Sequence, residues 1–188
     1  MIFESFVGLE ASPWARRWSP LVRPTGSVLD IACGQGRHMQ WFAERQHTVT
    51  GIDRSPDAIA GAARWGRAVL ADIEKDPWPL CRNGQILTFD AVVVTNYLWR
   101  ALFGVMRDSL APGGILIYET FACGNETVGK PSNPDFLLQP GELLHAFPSL
   151  HVVAFEEGFL DQPARFVQRL VAVRAEDEGA ASPRRYPL

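Results

Sequence analysis

The chain has 188 residues, of which 47% are hydrophobic and 21% are charged, close to the averages of soluble globular proteins. This length predicts a single domain, and the composition excludes a disordered, collagen-like or coiled-coil chain. Eighteen Lys and Arg residues against 21 Asp and Glu residues leave a net charge of −3, which argues against a nucleic-acid-binding surface over the whole protein.

The three cysteines, Cys33, Cys81 and Cys123, are far apart and include no Cys-x-x-Cys pair. They therefore predict neither a disulfide framework nor a metal site. The N-terminus lacks a basic region before an apolar run, and no stretch approaches the roughly 18 apolar residues of a membrane span. We expect a cytoplasmic protein with no membrane partner.

Residues 1–26 are rich in aromatic residues and proline and have no clean period. They predict a short helix or loop that covers the body of the domain as an aromatic cap. Trp14, Arg16 and Arg17 are candidates for substrate contact in this cap. A packed tryptophan and solvated arginines are the commoner roles for such residues.

The first structural signal is an apolar run at residues 27–32, followed by a glycine-containing turn and a helical pattern at residues 37–45. This succession predicts a strand, a turn and a helix. Gly34 and Gly36 lack a Cβ, so the backbone of the turn can approach a ligand closely at the start of a helix. The alternative is a tight turn that needs glycine for its own geometry.

A second and a third strand follow, at residues 47–53 and 67–72. Between them, Ser55 and Pro56 predict the start of a helix that extends to about residue 65. Each of the first three strands contains or ends in an aspartate, so carboxylates should meet at one edge of the sheet.

The central part of the chain predicts a fourth strand at residues 86–94 and an amphipathic helix at residues 98–110. Residues 111–114, Ala-Pro-Gly-Gly, should break that helix and start a fifth strand at residues 115–121. The continuous apolar character of the fourth strand is typical of a sheet that is covered on both faces.

The C-terminal part begins with a stretch of little regular character at residues 122–139, which predicts an active-site loop. A short helix is predicted at residues 140–147. Two β-type runs at residues 151–159 and 166–174 are too close for a crossover helix, so they predict an antiparallel hairpin. Residues 176–188 are charged and contain proline, and we expect a frayed, flexible tail.

Five strands alternating with helices predict an α/β fold with a doubly wound, mostly parallel sheet. In such a sheet, ligands bind at the carboxyl ends of the strands. Asp53 lies 23 positions after Asp30, roughly the spacing at which an acidic residue binds ribose hydroxyls. The alternative for Asp53 is a turn or helix-capping carboxylate.

Asp72 ends the third strand, where its carboxylate can accept a hydrogen bond from an adenine amine while the Ile73 N–H meets a ring nitrogen. A solvated turn carboxylate is the alternative. The first turn lacks the full Gly-x-Gly-x-x-Gly pattern of dinucleotide sites, so a nucleoside ligand without pyrophosphate is favoured.

Five segments in order resemble the motifs of the class I S-adenosylmethionine-dependent methyltransferases, and the resemblance covers residues 27–174. The segments begin at Val28 (VLDIACGQG), Val49 (VTGIDRS), Leu70 (LADI), Phe89 (FDAVVVTN) and Leu110 (LAPGGIL). The resemblance implies a seven-stranded sheet of order 3-2-1-4-5-7-6 with strand 7 antiparallel. It implies S-adenosylmethionine as cofactor, S-adenosylhomocysteine as product and no metal. The implied cofactor-binding residues are Asp30, Ala32, Gly34, Gly36, Asp53, Arg54, Asp72, Ile73 and Asn96.

One departure is Ala32, where the family most often has glycine, and this substitution bears on cofactor affinity. The loop at residues 124–143 narrows the resemblance, because its Asn-Pro-Asp-Phe-Leu-Leu segment before a Glu-Leu helix is similar to that of small bacterial methyltransferases of the tellurite-resistance type. That resemblance implies a small-molecule nucleophile as methyl acceptor. We expect a monomer or homodimer.

Methyl transfer from a sulfonium is an in-line displacement that requires the two reactants to be held together and water to be excluded, so a dedicated base is optional. The family places the end of the fourth strand beside the methyl group, which makes Asn96 and Tyr97 the candidate catalytic residues. Glu119 is a further candidate. His38 and Arg37 follow the glycine turn and are predicted either to contact the cofactor or to face solvent.

Two other functions remain open. An RNA-modifying methyltransferase could bind its substrate through Arg64, Arg67 and Arg100 if these cluster, although the net charge makes a nucleic-acid partner unlikely. A non-catalytic S-adenosylmethionine-binding subunit would keep the same cofactor motifs. Methylation of exocyclic base amines in DNA is disfavoured, because Thr95-Asn-Tyr-Leu replaces the motif of those enzymes.

Overall fold

A computed structural model describes residues 10–176 and 185–187. The described residues form nine strands: β1 (Ser27–Ile31), β2 (Thr48–Asp53), β3 (Arg67–Leu70), β4 (Cys81–Arg82), β5 (Gln85–Ile86), β6 (Phe89–Thr95), β7 (Leu110–Phe121), β8 (Leu150–Asp161) and β9 (Ala164–Arg174). They also form five α-helices: α1 (Pro13–Trp18), α2 (Arg37–Ala43), α3 (Pro56–Ala62), α4 (Phe103–Asp108) and α5 (Glu142–Ala146).

Seven strands form one sheet in the order β3-β2-β1-β6-β7-β9-β8. Strands β3, β2, β1, β6 and β7 are parallel, and β9 is antiparallel to both of its neighbours. The fourth to seventh predicted strands are β6 to β9, so the predicted order 3-2-1-4-5-7-6 is confirmed. The terminal hairpin of β8 and β9 is confirmed as well.

The central strands of the sheet are buried on both faces, as the apolar runs require, whereas the edge strands β3 and β8 are partly exposed. All seven residues of β6 are buried. One apolar cluster contains Leu29, Val92 and Tyr118 and packs on the face covered by α4 and α5. The other contains Trp14, Phe42 and Val93 and packs on the face covered by α1 and α2. The carboxyl ends of the parallel strands therefore emerge between two helical layers at one edge.

Predicted boundaries were wrong at three places. The third strand ends at Leu70, so Asp72 lies in the turn after it. The helix expected at residues 98–110 is shorter, because a 3-10 turn at Arg100–Leu102 precedes α4 and Leu110 already begins β7. The Ala-Pro-Gly-Gly segment is part of that strand. The fourth strand begins at Phe89, since the Asn83-Gly84 turn folds β4 and β5 into a separate small hairpin.

The cap is confirmed as a short helix over the sheet for the part of residues 1–26 that is described; residues 1–9 lie outside the described chain. The Ser12 side chain caps α1 by accepting a hydrogen bond from the Ala15 N–H. Trp14 and Trp18 are each 2% exposed and belong to the core. Trp14 therefore packs, which was the commoner of its two predicted roles.

Residues 122–139 contain short 3-10 turns and no α-helix or extended strand. The returning end of this loop is tied to the end of β7, because Leu138 donates its N–H to the Phe121 carbonyl and accepts one from Cys123. Of the predicted tail, residues 177–184 and 188 lie outside the described chain. Within the described residues, no helix is long and apolar enough to cross a membrane.

Candidate active site

The glycine turn after β1 is strained at one position and open at another. Ala32 has φ 54° and Gly34 has φ 54°, both in the left-handed region. A Cβ added at Gly34 would meet no atom within 4 Å, so the space above this residue is free for a ligand. A Cβ at Gly36 would come within 3.0 Å of Ala62, so Gly36 is required for packing between α2 and α3.

Asp53 ends β2 and lies against the glycine turn. Its Oδ2 accepts a hydrogen bond from the Gly34 N–H at 2.9 Å, and its Oδ1 accepts one from the Ser55 N–H at 2.9 Å. The carboxylate thus has the turn-forming role that was the predicted alternative. Each carboxylate oxygen has two lone pairs, so acceptor capacity for hydroxyl donors remains.

A cavity of about 320 Å³ lies at the carboxyl ends of β1, β2, β3, β6 and β7. It brings together seven of the residues predicted for the site: Ala32, Asp53, Arg54, Asp72, Ile73, Asn96 and Tyr97. Asp30, Gly34 and Gly36 do not line it. The remaining walls come from residues 71, 74, 98, 120, 121, 131 and 136, so the loop after β7 closes part of the cavity.

The end of the cavity beside β3 is charged, and two carboxylates there lie beside basic side chains. Asp72 Oδ2 pairs with Lys75 Nζ at 3.1 Å, and the hydrogen bond from Lys75 lowers the pKa of this carboxyl group. Arg54 Nη1 lies 3.8 Å from Glu74 Oε2. Asp72 is therefore ionised at neutral pH and can accept hydrogen bonds from a ligand.

Asp30 is buried beneath the glycine turn without a full set of partners. Its Oδ2 has no hydrogen-bond partner within the described chain, and His38 Nδ1 lies 3.9 Å away. Burial is the largest cause that raises the pKa of Asp30 to about 8, and Arg37 opposes the shift. A buried carboxyl group of this kind fits a ligand that brings a cation, such as the ammonium group of S-adenosylmethionine.

Asn96 follows β6 in a left-handed conformation with φ 54°, and its N–H donates to the Glu119 carbonyl at 2.9 Å. Tyr97 is half-buried, and its carbonyl accepts a hydrogen bond from the Tyr118 hydroxyl at 3.0 Å. Burial, followed by the nearby Glu74, raises the pKa of Tyr97 above its usual range. The Tyr97 phenol stays protonated and can only donate or accept hydrogen bonds, so it is unsuited to act as a base.

A buried charge cluster lies on the cap side of the same strand ends. Glu119 is fully buried and pairs with Arg169 Nε at 2.5 Å, while Arg165 Nη2 lies 3.9 Å from its other oxygen. Neither Glu119 oxygen has a well-aligned hydrogen bond within the described chain. Arg37 joins the cluster by donating to Thr95 Oγ1 at 3.3 Å.

Arg165 and Arg169 were missed by the sequence analysis. The alternation of side chains along β9 indicates that residues 165, 167 and 169 share one face of the sheet. The alternation does not indicate that the two arginines lie beside Glu119, because that depends on the strand register, which pairs Glu119 with Arg169. Glu119 itself was a candidate.

His38 occupies neither of its two predicted positions. It is 1% exposed, and its Nε2 accepts a hydrogen bond from the Ser12 N–H at 3.1 Å. Burial lowers the pKa of His38 to about 3, so the ring is neutral. The side chain anchors the cap to α2, because helix geometry turns it inward toward the segment before α1.

Arg100, one of three arginines considered for binding RNA, is engaged within the chain. Its guanidinium group forms a bidentate pair with Glu142 and donates to two loop carbonyls. Arg64 lies over the Trp65 ring, with its guanidinium carbon 5.2 Å from the ring centroid. Within the described residues, no group of three or more His, Cys, Asp or Glu side chains could hold a metal ion.

Comparisons with known proteins agree with this geometry. A family profile described as "Methyltransferase domain" matches residues 28–114. TehB from Haemophilus influenzae superposes with a TM-score of 0.71 at 18% identity, over 87% of this chain and 62% of that one. A TehB-like S-adenosylmethionine-dependent methyltransferase from Corynebacterium glutamicum gives a TM-score of 0.63 at 19% identity, covering 86% of both chains. No curated protein sequence matches.

The N-methyltransferase NodS from Bradyrhizobium japonicum also superposes, with a TM-score of 0.62 at 21% identity over 88% of this chain and 98% of that one. Likenesses at such identities show a shared fold and assign no substrate. The profile match and the superpositions show that residues 28–114 are similar to a methyltransferase domain and that the chain shares the fold of these methyltransferases. Its fold is similar to that of TehB and of the TehB-like enzyme.

Proposed function

We propose that the protein transfers a methyl group from S-adenosylmethionine to a small, anionic nucleophile in the cytoplasm. An oxyanion, a thiolate or a carboxylate belongs to this class of acceptor. The proposal treats residues 1–188 as one methyltransferase domain in which the cap and the loop at residues 122–139 enclose the acceptor.

The observation that carries this proposal is the group of three arginines beside the end of β6. Arg165 and Arg169 pair with Glu119, Arg37 is attracted by both Asp30 and Glu119, and Arg165 Nε is buried without a hydrogen-bond partner in the described chain. Arg169 also contacts Glu156 near the surface. Unsatisfied guanidinium donors in a desolvated position favour an anionic ligand, because charge-assisted hydrogen bonds are strong there.

Most of the proposed cofactor residues line the cavity, and the others belong to β1 and the glycine turn that follows it. Asp53 is positioned for ribose hydroxyls, Asp72 and the Ile73 backbone for the adenine edge, and Asp30 for the ammonium group. Gly34 and Ala32 leave the backbone of the turn open to the cofactor, with Gly36 setting the start of α2 and Arg54 and Asn96 lining the walls. When bound, S-adenosylmethionine supplies the sulfonium-activated methyl group.

The chain's own contribution to the transfer is positioning. A lone pair of the acceptor forms the new bond to the methyl carbon as the sulfur–carbon bond breaks, and S-adenosylhomocysteine leaves. Arg165 and Arg37 hold the acceptor, and Asn96 and Tyr97 line the point where the two reactants meet. Because the pKa of Tyr97 is raised, its phenol donates a hydrogen bond and takes no proton.

The experiment is a methyl-donor turnover screen of small anions (tellurite, selenite, thiols and carboxylates), small amines and RNA. We expect turnover on at least one small anion, and S-adenosylhomocysteine should raise the thermal midpoint because it binds the native state. Arg165→Gln should raise the KM for the anion about tenfold and leave the cofactor Kd unchanged. Arg64→Gln on the surface is the matched control.

The competing functions make different predictions in the same screen. Equal turnover of neutral amines, with no effect of Arg165→Gln, would overturn the anionic acceptor. Salt-sensitive methylation of RNA would favour the RNA-modifying enzyme. Cofactor binding without turnover of any compound would favour the non-catalytic subunit.

A further inference from the structure

Phe136 lies in the loop at residues 122–139, and its aromatic ring forms part of the wall of the cofactor cavity. The ring is 41% exposed and lines the cavity, together with Pro131 from the same loop. Its neighbour Leu137 is 1% exposed and is anchored in the core. An exposed ring at a cavity wall loses its contact with water when a ligand fills the cavity, so Phe136 is suited to cover a bound cofactor.

The backbone on both sides of Phe136 is held by one side chain. Arg100 Nη1 donates to the Asp135 carbonyl at 2.7 Å, and Arg100 Nη2 donates to the Leu137 carbonyl at 3.0 Å. These two carbonyls flank Phe136, so the guanidinium group sets the position of the ring through the backbone. Within the loop, the Asn133 side chain also holds the backbone before Phe136, because its Oδ1 accepts a hydrogen bond from the Asp135 N–H at 3.1 Å.

Arg100 is itself held in one geometry. Its Nε and Nη2 form a bidentate pair with Glu142, at 2.6 Å to Oε1 and 2.9 Å to Oε2. Glu142 Oε2 also accepts a hydrogen bond from the Gln139 N–H at 2.8 Å. A bidentate carboxylate fixes both the place and the plane of a guanidinium group, which a single ammonium group cannot reproduce.

Arg100 also belongs to the segment that forms the opposite wall. It follows Leu98 by two residues, and Asn96, Tyr97 and Leu98 all line the cavity. Arg100 and Glu142, together with the two loop carbonyls, form what we call the clamp. The clamp connects two walls that are far apart in sequence, the segment after β6 and the loop after β7.

We propose that Arg100 is a positioning residue that holds the Phe136 ring over the cofactor cavity and thereby controls how tightly the cofactor is retained. The proposal rests on the cofactor site described above, and it does not depend on which acceptor is methylated. It assigns cofactor retention to a clamp outside the five motif segments.

The test is calorimetric titration of the full chain with S-adenosylhomocysteine, which needs no acceptor. Arg100→Lys keeps the charge and loses the forked donors, and Phe136→Ala removes the ring and leaves the clamp. Each single variant is expected to weaken the binding of S-adenosylhomocysteine about tenfold.

The double variant should bind no more weakly than the weaker of the two single variants, because both changes remove the Phe136 ring from its place over the cavity. Phe136→Tyr should restore binding to within about twofold of the original chain.

Arg107→Lys is the matched control, since Arg107 pairs only with its neighbour Asp108 on an exposed surface, at 2.8 Å. A purely structural role for Arg100 would lower the thermal midpoint of the ligand-free chain and leave the Kd unchanged, and that result would overturn the proposal. Losses that multiply in the double variant would overturn it as well. Failure of the anionic acceptor would instead appear as absent turnover with an intact cofactor Kd.

Discussion

The two halves of the proposed active site, one for the cofactor and one for the acceptor, are built in different ways. The cofactor half uses residues at the ends of successive strands, Asp53 after β2 and Asp72 after β3, each within a short sequence motif. The acceptor half uses Glu119, Arg165 and Arg169 from β7 and β9, with no motif that contains all three. Sequence motifs therefore locate the residues proposed to bind the cofactor. The residues proposed to select the acceptor come together only through strand register.

The halves also differ in electrostatics. The cofactor half has one more carboxylate than it has basic groups, with Asp53, Asp72 and Glu74 against Arg54 and Lys75. The acceptor half has three guanidinium groups, of which Arg165 and Arg169 pair with Glu119 and Arg37 lies within the influence of Asp30 and Glu119. This separation suits the joining of a cationic donor with an anionic acceptor, because each reactant meets the charge opposite to its own.

The largest expected effect concerns the acceptor half. Glu119→Ala leaves Arg169, which is 11% exposed, without its buried partner, and should lower the free energy of unfolding by about 3 kcal/mol in urea titrations. Glu44→Ala, on an exposed turn, is the control and should change little. An unaltered free energy of unfolding in Glu119→Ala would show that the arginines reach solvent without Glu119.

A second effect tests the cofactor half. Asp53→Ala should weaken S-adenosylhomocysteine binding by about 1–3 kcal/mol, because hydrogen bonds to a carboxylate are lost. The loss of the acceptor for the Gly34 N–H also reshapes the turn. Calorimetry measures the Kd, and Asp57→Ala in the first turn of α3 is the control. Unchanged affinity would contradict the ribose-binding role.

A third effect is the pH dependence that arises from Asp30. Its pKa is about 8 in the folded chain against 3.8 normally, so the folded state holds a proton that the unfolded state has lost between these values. The stability of the ligand-free chain should therefore fall as the pH rises from about 4 to about 8. A cationic ligand binds the ionised form, so cofactor affinity should rise over the upper part of this range.

The affinity change should approach, and not exceed, about tenfold per pH unit below pH 8. Calorimetry with S-adenosylhomocysteine at pH 6, 7 and 8 measures it. Asp30→Asn should flatten the dependence, since the group can no longer ionise. A slope that persists in Asp30→Asn would assign the titration to another group.

The smallest effect is at Ala32, which adopts φ 54° where the family most often has glycine. Ala32→Gly relieves the left-handed strain but adds flexibility to the unfolded chain, so we expect stabilisation within about 1 kcal/mol. Ala63→Gly is the matched control, because Ala63 has φ −58° and the same substitution there should destabilise. Urea titration compares the two, and destabilisation of equal size in both variants would show that Ala32 is unstrained.

Particular elements show where sequence patterns were informative. The strand at residues 47–53 and the helix start at Ser55-Pro56 were predicted closely, because an apolar run and a helix cap are local signals. The helix expected at residues 98–110 was too long, since its apolar spacing also suits a 3-10 turn and the buried start of β7. His38 was misjudged because nothing local indicates which tertiary neighbour buries it.

The sequence alone predicted the class of fold, and its resemblance to a known family predicted the order of the strands and the candidate residues of the cofactor half. These depend on hydrophobic periodicity and on motifs within about ten residues of a strand end, where local geometry dictates position. Only the tertiary structure decided that Arg165 and Arg169 meet Glu119, that His38 anchors the cap and that Arg100 holds the loop. Those contacts join residues that are distant in sequence, and long-range packing and strand register bring them together.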